Sequence, residues 1–236
     1  MPVKHNSTLI YHCAVKEIAV PTRNLVAEPA AQRAYRALEK MIVTLELPPA
    51  AVVTERVLID SLDLGRTPVR EAIQRLAWEG LIEIRPRAGL AIAPLRAQDW
   101  VLIVEARRGV ETVLARAAAR HASPTNRLRL EEAARAMHAA VVQADVLAFL
   151  EADKMLDEII GEASENIFAT RVAAPLQTHS RRFWYRYHSE AGLARAAGHH
   201  VALIHAVLDR DEIRAALEAE KLMVMLRELA EAAARR

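Results

Sequence analysis

The sequence predicts a mostly α-helical protein in two parts: a short unit of three helices closed by a β-hairpin, then a longer all-helical bundle. Three observations carry this reading. Apolar residues recur at helical spacing through most of the chain after residue 29. One stretch, Leu81 to Ala93, reads instead as strand, turn and strand. Glycine is scarce, 7 in 236 residues, and aromatics are 4% against 53% hydrophobic residues, a balance that favours helices packed through alanine and aliphatic side chains.

Residues 1–28 have weak periodicity and contain Pro2, Pro21 and Asn24, so they are expected to form a flexible N-terminal arm. The single cysteine, Cys13, lies there and excludes an intramolecular disulfide. Ala30 to Leu45 reads as a helix with Tyr35, Leu38, Ile42 and Leu45 facing inward, ended by Pro48-Pro49. Thr54 caps a second helix through Leu62. Asp63-Leu64-Gly65 is a turn in which Gly65 can take positive φ without steric cost. Thr67 is the expected N-cap of the next helix, with Pro68 at its first position and Gly80 just past its end.

That third helix organises the unit. Val69, Ala72, Ile73 and Leu76 face inward, while Arg66, Arg70 and Gln74 lie outward near its start. Two guanidinium groups and an amide there suit phosphate oxygens and the major-groove edges of guanine or adenine. Leu81–Arg85 and Leu90–Ala93 then read as strands around a Pro86–Gly89 turn, which puts Arg85 and Arg87 beside Gly89 at a basic tip. The order helix, helix, turn, helix, hairpin is a winged helix-turn-helix over residues 29–95, and it predicts DNA binding.

From residue 96 to 236 the pattern is helical. A long helix starts at Gln98 or Asp99. Ser123 and Pro124 open the next. Further helices run from Asp145 or Val146 to Gly161, from a Ser164 cap through the aromatic-basic segment 179–190, and from Gly192 to Leu208. Asp211 caps the last. No strand pattern and no fixed repeat is visible in this part.

The stretch "Leu64-Gly65-Arg66-Thr67-Pro68-Val69-Arg70-Glu71-Ala72-Ile73-Gln74-Arg75-Leu76", followed by "Glu79-Gly80-Leu81-Ile82", resembles the winged-helix signature of GntR-family bacterial transcription regulators. Gly65 stands where that family usually has Ser or Thr, and Pro49-Ala50 replaces its Pro-Gly. The resemblance implies that Arg56, Arg66, Thr67 and Arg70 contact an operator and that the wing around Gly89 enters the minor groove. "Arg107-Arg108-Gly109-Val110-Glu111", "Asp153-Lys154-Met155-Leu156-Asp157…Asn166" and "His199-His200-Val201-Ala202-Leu203" resemble the FCD effector domain that follows such winged helices. By resemblance, the bundle binds a small effector and dimerises.

Two site chemistries follow from that second resemblance. The usual FCD pattern is an Asp, a His four residues later, and a His in each of the last two helices, together holding a divalent metal. Here Asp153 and His200 match, Asp157 replaces the first His, and the last helix offers Glu220, Lys221 or Leu222 where the final His is expected. Asp153, Asp157 and His200 could hold a harder cation weakly, since carboxylates favour such ions. The other chemistry is a metal-free pocket in which Arg107 binds a carboxylate effector directly, with Asn166 and His200 at its edge. Either leaves open that Asp153 and Asp157 form a solvated acidic face, that Arg107 merely pairs with Glu111, or that the bundle only dimerises.

The formal net charge is +2, too small to coat nucleic acid, so DNA binding must rest on a local patch. No apolar run reaches the ~18–20 residues of a membrane helix, and a cytoplasmic location without a membrane partner is expected. A metal-dependent enzyme built on the bundle is the competing class. The chain shows no Ser-His-Asp order, no Gly-rich phosphate loop and no HExxH pair, and such an enzyme would leave the third helix unexplained. The expectation is therefore a ligand-responsive DNA-binding regulator, a homodimer rather than an enzyme, with repression the commoner sign in the family.

Overall fold

The computed structural model describes residues 28–235, so the expected N-terminal arm lies outside the described residues except for Glu28. The first unit runs α1 (Ala30–Val43), β1 (Val52–Val53), α2 (Glu55–Leu62), α3 (Arg66–Trp78), β2 (Ile82–Arg85) and β3 (Gly89–Ile92). Its core is Leu38, Ile42, Leu58, Val69, Ile73, Leu76, Leu81 and Ile92. The three strands form an antiparallel sheet in the order β1-β3-β2.

The sequence pattern located these elements well and missed details at their ends. α1 stops at Val43; Leu45 has φ +60° and lies outside the helix, and Leu47 is the buried residue that follows. β1 was not expected, because two residues carry no readable alternation. The turn before α3 takes its left-handed residue at Asp63 (φ +49°), whereas Gly65 has φ −62° and is itself the N-cap. α3 therefore begins at Arg66, and Thr67 and Pro68 fall inside its first turn, where N–H groups lack helical partners and proline loses nothing. Thr54 does cap α2, its hydroxyl accepting from the Val57 N–H at 3.3 Å. The wing needs its glycine twice over: Gly89 has φ +99°, and a Cβ there would sit 2.8 Å from the Val53 carbonyl oxygen of β1.

The second unit is α4 (Ala97–His121), α5 (Pro124–Val142), α6 (Val146–Ala163), α7 (Ile167–Tyr187), α8 (Glu190–Leu208) and α9 (Glu212–Ala234). Ser123 and Asn126 form a capping box on α5, and Asp145 and Asp211 cap α6 and α9. α7 is capped by Asn166, not Ser164; its side chain accepts from the Ala169 N–H at 3.0 Å. Gly161 is not a helix stop. It is buried inside α6, where a Cβ would meet the Thr170 methyl at 2.8 Å, so it lets α6 and α7 approach closely. The bundle core is aliphatic and alanine-rich, with Leu114, Leu130, Met137, Leu156, Ile159, Ile204 and Val207 at its centre.

α7 joins the two units at three points. Thr178 donates its hydroxyl hydrogen to Glu39 of α1 at 2.7 Å. His179 meets the main-chain oxygen of Glu79, just past α3, at 2.9 Å. Arg182, fully buried, donates to the Ala93 carbonyl at 2.7 Å where the wing runs into the linker.

Candidate nucleic-acid interface and ligand cavity

The inward face of α3 is buried against α1, which fixes which of its side chains face solvent. Arg66, Thr67, Arg70 and Gln74 are all exposed along the outer side of α3, and Arg56 is exposed on α2 beside them. Arg56 pairs with Asp60 at 3.6 Å and Arg70 with Glu55 at 2.6 Å. These pairs are solvated, so a phosphate can replace the carboxylate at little cost. Arg66 and Arg87 form no ion pair among the described residues. Arg87 has φ +66° and stands at the wing tip with Gly89; Arg85 there pairs with Glu83 at 2.7 Å. The predicted DNA-facing residues of α2, α3 and the wing are thus all at the surface or at the wing tip, and the Arg70–Glu55 pair sets the start of α3 beside α2.

The ligand-site residues sit deep in the bundle, around a cavity of about 20 Å³ lined by Arg107, Phe149, Leu150, Asp153, Ser180, Arg181, Trp184, His200 and Leu226. That space has room for about one water. Arg107 is present but not exposed. It is buried against Glu111 at 2.8 Å, and Gln177 donates to the same Glu111 oxygen at 3.1 Å. Asp153 and Asp157 are likewise not a solvated face; both side chains are at least 85% covered. Asn166 is absent from the cavity wall, because its side chain is spent on capping α7.

The candidate metal ligands are already occupied by cations of the chain. His200 sets Nδ1 2.7 Å from the Ala196 carbonyl and Nε2 2.8 Å from Asp153. Both partners are acceptors, so both ring nitrogens act as donors and neither has a lone pair for an ion. Arg181 of α7 donates from Nη1 to Asp157 at 2.5 Å and lies 3.6 Å from Asp153. At the last helix, Glu220 pairs with Arg108, Lys221 with Glu218, and Leu222 is buried apolar surface. Among the described residues, no three His, Cys, Asp or Glu side chains are grouped to hold a metal. The residues present do not fit a divalent ion; a guanidinium and an imidazolium stand in its place.

These contacts divide the two carboxylates. Burial would raise Asp153, but the hydrogen bond and charge of His200, with Arg181 and Arg107, hold it at about 2. Burial pushes Asp157 up to about 7, and the Asp153 charge adds to the rise against Arg181 and Arg107. For His200, burial favours the neutral ring, yet the hydrogen bond to and charge of Asp153 carry its pKa above the ordinary value.

Sequence reasoning passed over Arg181, Trp184 and Glu39. Trp184 is buried; its ring lies 4.9 Å from Phe149 and 5.0 Å from His188. Among the described residues its Nε1 has no hydrogen-bond partner, nor has the Nε of Arg181. One signal was available: Arg181-Arg182 sits in a helix with no acidic residue at helical spacing on either side, so its charges had to find partners elsewhere.

Comparison with known proteins agrees with this architecture. Residues 30–92 match the bacterial regulatory proteins of the gntR family and residues 102–224 match the FCD domain. An uncharacterized HTH-type transcriptional regulator of Agrobacterium vitis is 30% identical over 159 residues, 64% of this chain and 93% of that protein. The HTH-type transcriptional repressor RspR of Escherichia coli is 26% identical over 153 residues, 63% of this chain and 65% of that one. A Streptomyces ambofaciens regulator is 40% identical over 75 residues, so the match spans 32% of its length. The solved structure of E. coli McbR/YncC shares the fold with a TM-score of 0.72 at 16% identity, covering 86% of this chain and 98% of that one. No described helix is long and apolar enough to cross a membrane.

Proposed function

The chain belongs to the GntR family of bacterial regulatory proteins and carries an FCD domain, and from that premise we propose that this DNA-binding transcription regulator is a homodimeric repressor released by a small carboxylate. The carboxylate enters the cavity among α4, α6, α7 and α8. The observation that carries this is the surplus of donors there. Arg107 and Arg181 are buried at one cavity, and the Nε of Arg181 and Nε1 of Trp184 have no acceptor. A buried donor left unpaired costs about 1–3 kcal/mol, and a carboxylate supplies the missing oxygens in a geometry that guanidinium matches bidentately. No metal takes part.

The cavity is too small for such a ligand as it stands, so binding moves its walls. That movement gives the ligand a preference between two arrangements, which any ligand-driven shift requires. The repressor sign is supported by the E. coli relative RspR, which is named a transcriptional repressor. Dimerisation is supported by exposed aliphatic side chains along the packed α4–α9 pair, among them Leu102, Val113, Leu217 and Val224. A two-fold protein matches a pseudo-palindromic operator.

The test is titration calorimetry of the full chain with a panel of small mono-, di- and hydroxycarboxylic acids. At least one is expected to bind, and Arg107→Ala is expected to weaken it tenfold or more, about 1.4 kcal/mol. Trp184→Phe removes only the N–H and is expected to weaken it by a smaller factor. If no carboxylate binds the native chain, or if both variants bind equally well, the sensing assignment falls. Sedimentation at micromolar concentration reads the dimer.

A further inference from the structure

Arg181 belongs to two surroundings at once. One amino group, Nη1, donates to Asp157 at 2.5 Å and lies 3.6 Å from Asp153, which lines the small cavity. The other, Nη2, donates to the Thr178 hydroxyl at 3.1 Å, and that hydroxyl donates to Glu39 at 2.7 Å. Glu39 is on α1, in the winged unit, and is 3% exposed. Arg181 Nη2 also lies 3.6 Å from the Glu39 carboxylate, whose second oxygen is held by Lys154 of α6. The same Arg181 lines both the small cavity and a groove of about 790 Å³ between α1 and the α5–α6 face.

We infer that Arg181 is the positioning residue that couples the cavity to the DNA-binding unit: one guanidinium is shared between the cavity carboxylates and, through Thr178, Glu39 of α1. This rests on the sensing role assigned above to the same cavity and names how that site is read out. A planar guanidinium has its donors in a fixed fork. It cannot turn toward a new anion at its Nε or Nη1 and keep the Nη2 geometry. A carboxylate in the cavity therefore draws Arg181 away from Thr178, and Glu39 keeps Lys154 and the Thr178 hydroxyl but loses the guanidinium that stands behind that hydroxyl and 3.6 Å from its own carboxylate. α1 carries the inner face of α3, so the seat of the recognition helix loosens with it. Removing the Asp157 carboxylate does the reverse, because Asp153, 3.6 Å away, is then the one carboxylate that competes with Glu39 for Arg181. Chains of charge-assisted hydrogen bonds strengthen one another, which makes the two ends of this chain interdependent.

The coupling can be read without knowing the effector. Amide hydrogen exchange of α1 is followed by mass spectrometry in the full chain at pH 8, in a cycle of native, Asp157→Asn, Thr178→Val and the double variant. Thr178→Val is nearly isosteric and leaves every charge in place. Asp157→Asn is expected to slow α1 exchange by about threefold or more, and that effect is expected to vanish in the Thr178→Val background, a non-additivity that reports a shared partner. Exchange of α5, which has no link to Arg181, is expected to stay the same and controls for general stability. If Asp157→Asn leaves α1 exchange unchanged, or changes it equally with and without the Thr178 hydroxyl, the inference is overturned. The calorimetric screen fails or succeeds independently. A chain that binds no carboxylate but shows the non-additive cycle loses its effector class and keeps the relay. A chain that binds one without the cycle keeps the sensor and loses the relay.

Discussion

His179 places Nε2 2.9 Å from the main-chain oxygen of Glu79, a partner 100 residues away in the sequence. Glu79 is the C-cap of α3, and its carboxylate is held in turn by the Tyr35 hydroxyl at 2.7 Å and by Arg75 at 2.9 Å, with the Arg75 guanidinium over the Tyr35 ring. The end of the recognition helix is thus fastened both within its own unit and to α7 of the bundle. Burial lowers the pKa of His179, so the ring meets this carbonyl as a neutral donor.

His179→Ala is therefore expected to destabilise the chain by about 1–2 kcal/mol, one buried hydrogen bond plus a small void. Thermal unfolding followed by circular dichroism checks this, and the drop is expected to be a few degrees for a chain of this size. A Tm equal to the native value would mean that α7 does not hold α3.

The outer face of α3 makes a sharper prediction. Arg66→Ala is expected to weaken binding to a duplex selected from a random pool by tenfold or more, and to lower the slope of log affinity against log salt by about one. Arg70→Ala acts similarly but less strongly, because Arg70 must first leave Glu55. Carboxylate binding by the double variant stays at the native value. Fluorescence anisotropy across a salt series reads the DNA affinities and the slope, calorimetry reads the carboxylate, and an unchanged DNA affinity in the double variant would remove α3 from the interface.

The divided carboxylates give a pH dependence whose sign is fixed. Asp157 titrates near 7 in the folded chain against 3.8 as a free side chain, so the folded state keeps a proton that the unfolded state has released. Its contribution to stability is full below pH ~4 and is lost as pH rises toward 7. His200, with its pKa raised, adds stability below its ordinary value of 6.5 that is lost as pH rises above it. The Tm of the native chain is expected to fall between pH 5 and 8, and Asp157→Asn to remove a large part of that slope while His200 keeps the remainder. A slope unaltered in Asp157→Asn would show that the Asp157 proton is not the one lost.

The donor set also predicts metal indifference. Adding zinc, nickel, manganese or magnesium to the chelator-treated chain is expected to leave Tm within about 1 °C, because an ion would have to displace Arg181 and strip a proton from His200. A metal-dependent rise of several degrees, abolished in Asp153→Asn, would contradict the arrangement described.

The winged unit was readable from local rules. Thr54, Gly80 and Gly89 each do a job that few other residues can do, and the inward stripe Val69, Ile73 and Leu76 follows helical spacing over a single short helix. The helices of the bundle were equally legible from Ser123, Asp145 and Asp211. The cavity was not. Arg107, Asp153, Asp157 and His200 could be named because each lies in a recognisable stretch, but what they do depends on Arg181, which arrives from a different helix. Asp157 and Arg181 are 24 residues apart, and Glu39 and Thr178 are 139 apart. No periodicity within one helix reports a pairing between two. The misplaced start of α3 has a local cause: Asp63 took the left-handed position that glycine was expected to fill, and Gly65 was left free to cap.

The three tethers from α7 bear on how this molecule can be re-engineered. Regulators of this architecture invite exchange of their reading heads, because the two units are continuous in sequence and joined by the short segment Ala93–Arg96. In this chain a transplanted head would arrive without its docking counterparts. The bundle would be left with Thr178, His179 and Arg182 presenting polar groups to a stranger's surface. A working chimera would have to carry a glutamate at the position of Glu39 and free carbonyls matching Glu79 and Ala93, or else replace residues 178–182 along with the head. The portable unit is the head together with the middle of α7 and the α6 face that pairs with α1 through Glu151, Lys154 and Glu158, not the stretch that the linker delimits.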